Sequence, residues 1–239
     1  VIGNLINGAL TITTRGSVTG FSGDGIHAEH AGDAEISINA QAAVSGGAAG
    51  IYALHTGAGA TTINATGPIQ GGTYGVRAEN NNNNSGDLKV NVANVTGGTG
   101  VSLVSASRTG VINVVASGPV VGTTGDGINT YNRFDIRSLS VTATSVEGAR
   151  NGITVLSESD TPSAHINGGF ITISASGLVK GVAGDGIYAD NSATLGAGGG
   201  MNIDVAEVSG GRHGILALTN GLVIGNLING ALTITTRGS

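Results

Sequence analysis

Residues 18–40 read VTGFSGDGIHAEHAGDAEISINA, and three pieces of that stretch decide the fold: Val18-Thr19-Gly20, Gly25-Ile26-His27-Ala28 and Ile36-Ser37-Ile38-Asn39-Ala40. The last alternates apolar and polar residues with a period of two, the mark of a strand with one buried face. The glycines between the pieces mark sharp bends or close backbone approach. The stretch therefore predicts three short strands separated by turns.

The same order of pieces returns along the whole chain. A β-branched residue, any residue and glycine open eight successive units, at Val18, Val44, Ile69, Val95, Val120, Val146, Val179 and Val208. Each is followed by glycine, then Ile or Val, as in Gly50-Ile51-Tyr52-Ala53 and Gly186-Ile187-Tyr188-Ala189. A third alternating run follows, as in Leu88-Lys89-Val90-Asn91-Val92 and Ile171-Thr172-Ile173-Ser174-Ala175. The units measure 26, 25, 26, 25, 26, 33, 29 and 32 residues and sum to 222. A larger repeat encloses them, because residues 1–17, VIGNLINGALTITTRGS, return letter for letter as residues 223–239.

One such unit cannot bury its own apolar face. Stacking units pairs each strand with its copies above and below and turns the inward Val, Ile and Ala into continuous columns. The expected fold is all-β: a parallel β-helix (β-solenoid) of about eight three-sided coils. At one strand spacing per coil, eight coils advance roughly 38 Å. Hexapeptide repeats, leucine-rich repeats and GGxGxD nonapeptides are absent. Coils of irregular length with insertions at one place fit the right-handed form. The chain reads as a single continuous domain over 1–239. One 222-residue period, 18–239, is preceded by the end of another, 1–17, and neither end reads as a cap.

Composition agrees with a narrow interior. Glycine supplies 44 of 239 residues, aromatic residues are 3% and charged residues 10%. Cysteine is absent, which excludes disulfides, thiolate metal sites and thiol nucleophiles. No apolar run reaches the roughly 18 residues of a membrane span. Net charge is −5 and the ten basic residues are scattered. Without a basic stripe to neutralise phosphates, nucleic acid is not an expected partner.

The Gly23-Asp24-Gly25-Ile26, Gly125-Asp126-Gly127-Ile128 and Gly184-Asp185-Gly186-Ile187 pieces stand in a recurring V-x-G…G-I-x-A…I-x-I-x-A register. In this the whole chain resembles passenger segments of very large bacterial autotransporter adhesins. The resemblance implies a secreted protein of the bacterial outer surface, with a right-handed β-helical stalk anchored by a translocator barrel elsewhere.

Candidate sites are few. Asp24, Asp126 and Asp185 fall in coils one, five and seven, so they do not stack into a carboxylate cluster, and Asp before Gly is a turn dipeptide. Glu147 and Lys180 take matching outward positions and predict a cross-strand ion pair. The histidines lack metal-ligand spacing, although His27, His30 and His55 approach across two coils. Asn80–Asn84 with Ser85 and Gly86 reads as a solvated loop tip.

Two features point to a contact surface. The turns after the second strand are long in coils six to eight, 156–169, 190–200 and 218–231, and insertions at one repeat position project from one face. The last of them carries Leu222, Val223, Ile224, Leu227 and Ile228, an oily patch that either meets a partner or folds back on the solenoid. The second feature is the outward residue of G-I-x-A. Tyr188, Leu216, His27, Tyr52 and Arg77 would form one ribbon across a period junction, suited to sugar rings, to a neighbouring fibre or to plain cross-strand stacking.

The sequence thus reads as a non-enzymatic structural and adhesive fibre segment, extracellular on a bacterial cell. Its expected partners are copies of itself or neighbouring repeats end to end, with a host matrix protein or surface glycan as ligand. No cofactor or metal is expected. The competing classes are a β-helical polysaccharide-degrading enzyme and a passive filament or sheath protein.

Overall fold

The computed structural model describes residues 8–134, 137–159, 169–193, 200–221 and 231–237. Strand β1 (Leu10–Thr14) precedes coil one, which is built of β2 (Val18–Gly20), β3 (Ile26–His30) and β4 (Ile36–Ala40). Coil two has β5 (Val44–Gly46), β6 (Ala49–His55) and β7 (Thr61–Ala65); coil three has β8 (Ile69–Gly71), β9 (Tyr74–Asn80) and β10 (Leu88–Val92). Coil four opens with β11 (Val95–Gly97) and β12 (Thr99–Ser105). Then β13 (Val111–Gly122), β14 (Ile128–Asn132), β15 (Ser138–Gly148), β16 (Ile153–Ser159), β17 (Phe170–Gly181), β18 (Ile187–Ala193), β19 (Met201–Gly210) and β20 (Ile215–Gly221) follow. β21 (Leu232–Thr236) is the third side of coil eight. The described residues contain no helix.

Every pairing is parallel and joins one coil to the next. β3, β6, β9, β12, β14, β16, β18 and β20 form one eight-stranded sheet, and the remaining strands form a thirteen-stranded sheet. The protein is a parallel β-solenoid, as the repeat predicts. The predicted columns are present residue by residue. Ile38, Ile63, Val90, Val114, Val141, Ile173 and Ile203 pair in that order and are fully buried. Each such side chain contributes about 1.5–3 kcal/mol of burial, and none could be shielded by its own coil.

Two expectations about strand length need correction. The sequence predicts strands of three to six residues. From β13 onward, however, the third side of one coil runs into the V-x-G side of the next as a single strand of 10–12 residues. The corner survives as a register irregularity, between Ala116 and Pro119, Ala143 and Val146, and Ala175 and Leu178. Pro119 sits at such an irregularity, where a missing N–H is tolerated.

The long turns of coils six to eight also begin later than predicted. Leu156, Asp190 and Leu218 pair with one another as strand residues. β16, β18 and β20 run seven residues each because every rung extends the ladder of the one before. The oily residues Leu222, Val223, Ile224, Leu227 and Ile228 lie outside the described residues.

The Asn-rich tip is likewise not all solvated. Asn80 and Ser85 are fully buried, while Asn81, Asn83 and Asn84 are exposed. Asn80 accepts a 2.6 Å hydrogen bond from the Thr61 hydroxyl and donates to the Gly86 and Asp87 carbonyls.

Candidate functional site

Side chains alternate in and out along β3, β6 and β9, so Ile26, Ala28, Ile51, Ala53, Val76 and Ala78 face the core. The residues between them face outward. His27 pairs with Tyr52 and Tyr52 with Arg77, which makes three neighbouring rungs of one column. The His27 ring meets the Tyr52 ring edge-on, with centroids 4.9 Å apart. The Arg77 guanidinium lies 4.8 Å from the centre of the Tyr74 ring and 5.8 Å from that of Tyr52. Together with Asp24, Ala48, Ala49 and Thr73 these residues line a groove of about 280 Å³.

The groove is tightly wired. His27 Nδ1 is 2.6 Å from Asp24 Oδ2, and its Nε2 is 2.9 Å from Glu29 Oε1. Partial burial lowers the imidazole's proton affinity, but the two carboxylates outweigh it, and the His27 pKa is raised above its ordinary value. Arg77 donates from Nε to Glu79. Burial, with the Glu79 charge, raises the Tyr52 pKa and keeps the phenol protonated. The groove therefore presents apolar aromatic faces framed by fixed charges, a surface on which a flat polar ring can stack and hydrogen-bond.

The outward column continues through Ser102, Asn129 and Thr154 to Tyr188 and Leu216. The structure thus brings His27, Tyr52 and Arg77 together at one end and Tyr188 with Leu216 at the other. Three small or polar rungs separate the two groups. Tyr74 completes the groove and was missed in the sequence because it stands before its glycine, outside the G-I-x-A register. An aromatic at the first position of β9 was the available signal.

The acidic turn residues are occupied structurally. The Asp126 carboxylate is buried and takes two bonds from Arg150 and a third from the Asn151 N–H. Asp185 is buried in the same way, held by Arg212 and by His213 Nδ1 at 2.8 Å. Asp24 accepts the Ala49 N–H at 2.9 Å. Each Asp of the G-D-G-I turn thus reaches the next coil, which the turn reading alone does not predict. The sequence signal was Arg two residues before the following Gly-Ile, at Arg150 and Arg212. The Glu147–Lys180 pair is present at 3.0 Å.

A second column also escaped the sequence reading. His30, His55, Asn80, Ser105, Asn132, Ser157 and Asn191 pair in succession and are all buried. They stand two residues beyond the last residue of G-I-x-A, at or near the end of the strand, and several bond a turn, either their own or that of the coil before. His55 Nε2 contacts the Gly32 carbonyl at 2.9 Å, Asn132 donates to Phe134 and Asn191 to Gly169. His30 and His55 stack with centroids 5.3 Å apart. His27 belongs to the outward face, so the three histidines do not converge.

The fold and the groove define a repeat-built parallel β-solenoid with an aromatic, charge-framed groove on its first three coils. Compared with known proteins, the chain matches no family model, no curated protein and no solved structure.

Proposed function

We propose that this chain is one period of an extracellular structural and adhesive fibre on a bacterial surface. Successive periods extend the solenoid as a rod, and the groove of each period is its contact point. The observation that carries this reading is the place of β21. Its sequence, LTITT, duplicates β1, and it is laid on β19 in the same parallel, residue-for-residue register in which β1 lies against β4. The repeated LTITT thus serves as a rung of the ladder at both places, which is what a rod of repeated periods requires. The autotransporter-like turn register supports the secreted, surface-displayed part of the reading.

The adhesive half rests on the Tyr52–Tyr74–Arg77 groove, whose ligand would be a surface glycan or a matrix protein. Many weak sites in parallel on one fibre give strong attachment. Electron microscopy of the protein with its periods concatenated should show unbranched rods that lengthen with the number of periods; isolated globules would overturn the fibre reading. Glycan and matrix-protein binding screens should yield a ligand that Tyr52→Ala and Tyr74→Ala both lose. Binding only to itself would reduce the protein to a passive filament.

A further inference from the structure

A column of glycines runs up the solenoid, and its last member is different. A Cβ placed on Gly25, Gly50, Gly75, Gly100, Gly127, Gly152 or Gly186 would lie 2.5–2.8 Å from the carbonyl oxygen of the matching glycine in the next coil. Each is glycine because the neighbouring backbone leaves no room for a side chain. At Gly214 the nearest atom is a Val208 methyl at 3.9 Å. Among the described residues nothing requires glycine there.

The same end leaves core positions open. Val208, Ile215 and Ala217 are only partly buried, although their counterparts Val179, Ile187 and Ala189 are fully buried. Leu232 is 43% exposed, whereas its duplicate Leu10, which pairs with Ile36 of β4, is 6% exposed. At the opposite end Ile12 and Val18 are also only partly buried. One strand sequence, LTITT, occurs at both faces. β21 shows how this strand closes coil eight on β19, and β1 shows how the same strand sits against coil one.

We infer that the Gly214 face of one period is the docking site for coil one of the following period, with Gly25 seated against Gly214. The inference rests on the fibre reading above and adds the joint to it. Overlaying β21 on β1 fixes the register. Val18 pairs with Val208, Ile26 with Ile215 and Ala28 with Ala217. The Gly214 and Ile215 N–H groups donate to the Asp24 and Gly25 carbonyls of the next period, as Gly186 and Ile187 donate to His213 and Gly214 within this one. The joint also sets His27 beside Leu216. The outward ribbon of Tyr188, Leu216, His27, Tyr52 and Arg77 then becomes continuous, once per period.

The test is a two-period chain, this sequence followed directly by a second copy of residues 18–239. The parent should appear as one rod of twice the single-period length, roughly 76 Å at one strand spacing per coil. Amide exchange at Gly214 of the first copy should be slower than at Gly214 of the second by more than about a hundredfold, since only the first is covered. Gly214→Val in the first copy should abolish that protection and kink the rod at mid-length. The same substitution in the second copy should leave length, protection and melting temperature at parent values. A straight rod whose first-copy Gly214→Val variant behaves like the parent overturns the joint and leaves the fibre reading standing. Disruption by the second-copy variant also overturns the joint, since the open space would then serve the period itself. Two separate bodies in the parent, with equal exchange at both Gly214 positions, overturn the fibre reading together with the joint.

Discussion

Arg150 closes on the carboxylate of Asp126, one coil before it, through two bonds of 2.8 Å, Nε to Oδ1 and Nη2 to Oδ2. The carboxylate is fully buried, and the guanidinium that covers it is largely exposed. The arrangement acts as a clip between coils five and six. Removing the arginine leaves a buried anion with, among the described residues, only the Asn151 N–H as partner. Arg150→Ala should therefore cost about 1–3 kcal/mol, the penalty for an under-bonded buried polar group. Lys180→Ala, which breaks the exposed pair with Glu147, should cost under about 1 kcal/mol. Urea denaturation of both variants checks the difference, and equal costs would show that the clip is ornamental.

The equivalent clip in coil seven predicts a pH dependence. The Arg212 hydrogen bond is the main cause that holds the Asp185 pKa down to about 2; burial works against it, and His213 adds to it. An unfolded aspartate titrates near ~3.9. The folded group thus stays ionised where the unfolded one is protonated, so its stabilisation is full above the unfolded value. It drains away as pH falls from there towards the folded one. The urea midpoint of the parent should drop between these values, and that of Asp185→Asn should drop less. Parallel curves for the two would contradict the shift.

The two histidines at neighbouring rungs should titrate in opposite directions. Burial is the main cause that lowers the His55 pKa below its ordinary 6.5; the Gly32 carbonyl works against it, His30 adds to the lowering, and the Gly59 carbonyl and Asp33 oppose it. His55 therefore weakens the fold as pH falls below that value, because the unfolded chain takes up a proton that the folded chain resists. The His27 pKa is raised, since Asp24 and Glu29 overcome its desolvation. Its contribution is full below the ordinary value and is lost as pH rises through the folded one. Titration of the ring protons by NMR should place His27 above His55, and the reverse order would refute the wiring of the groove.

Much of this architecture can be read before any coordinates, and the reason is physical. A parallel ladder repeats the same environment every coil, so the same residue type returns at the same offset, and V-x-G, G-I-x-A and the alternating run each become a stack in register. The fused strands from β13 onward were hidden because the corner between two sides is a local irregularity with no fixed residue. The Asp-to-Arg clips were hidden for a different cause. Their partners lie 24 and 27 residues apart, so they share a rung relationship and not a sequence interval. Of the candidate contact residues, the column His27–Tyr52–Arg77 follows from alternation alone, whereas Tyr74 joins the groove because β9 begins before Gly75, which the G-I-x-A register does not show.

The glycines of the turns supply the last expectation, because they separate by what lies above them. A Cβ on Gly46 would overlap the Ala49 carbonyl oxygen and crowd the Gly25 nitrogen at 2.7 Å, both of them backbone atoms that cannot swing away. Gly46 is the buried last residue of β5, whereas Gly23 stands in the exposed turn between β2 and β3, where a Cβ meets nothing within 4 Å. Gly46→Ala must force coils one and two apart and should cost about 3 kcal/mol, at the upper end of overpacking penalties. Gly23→Ala should be neutral or stabilise by up to about 1 kcal/mol, since it mainly restricts the unfolded chain. Thermal melts of the two single variants distinguish them. A Gly46→Ala protein as stable as the parent would mean that the coils are not packed at ladder spacing at this corner.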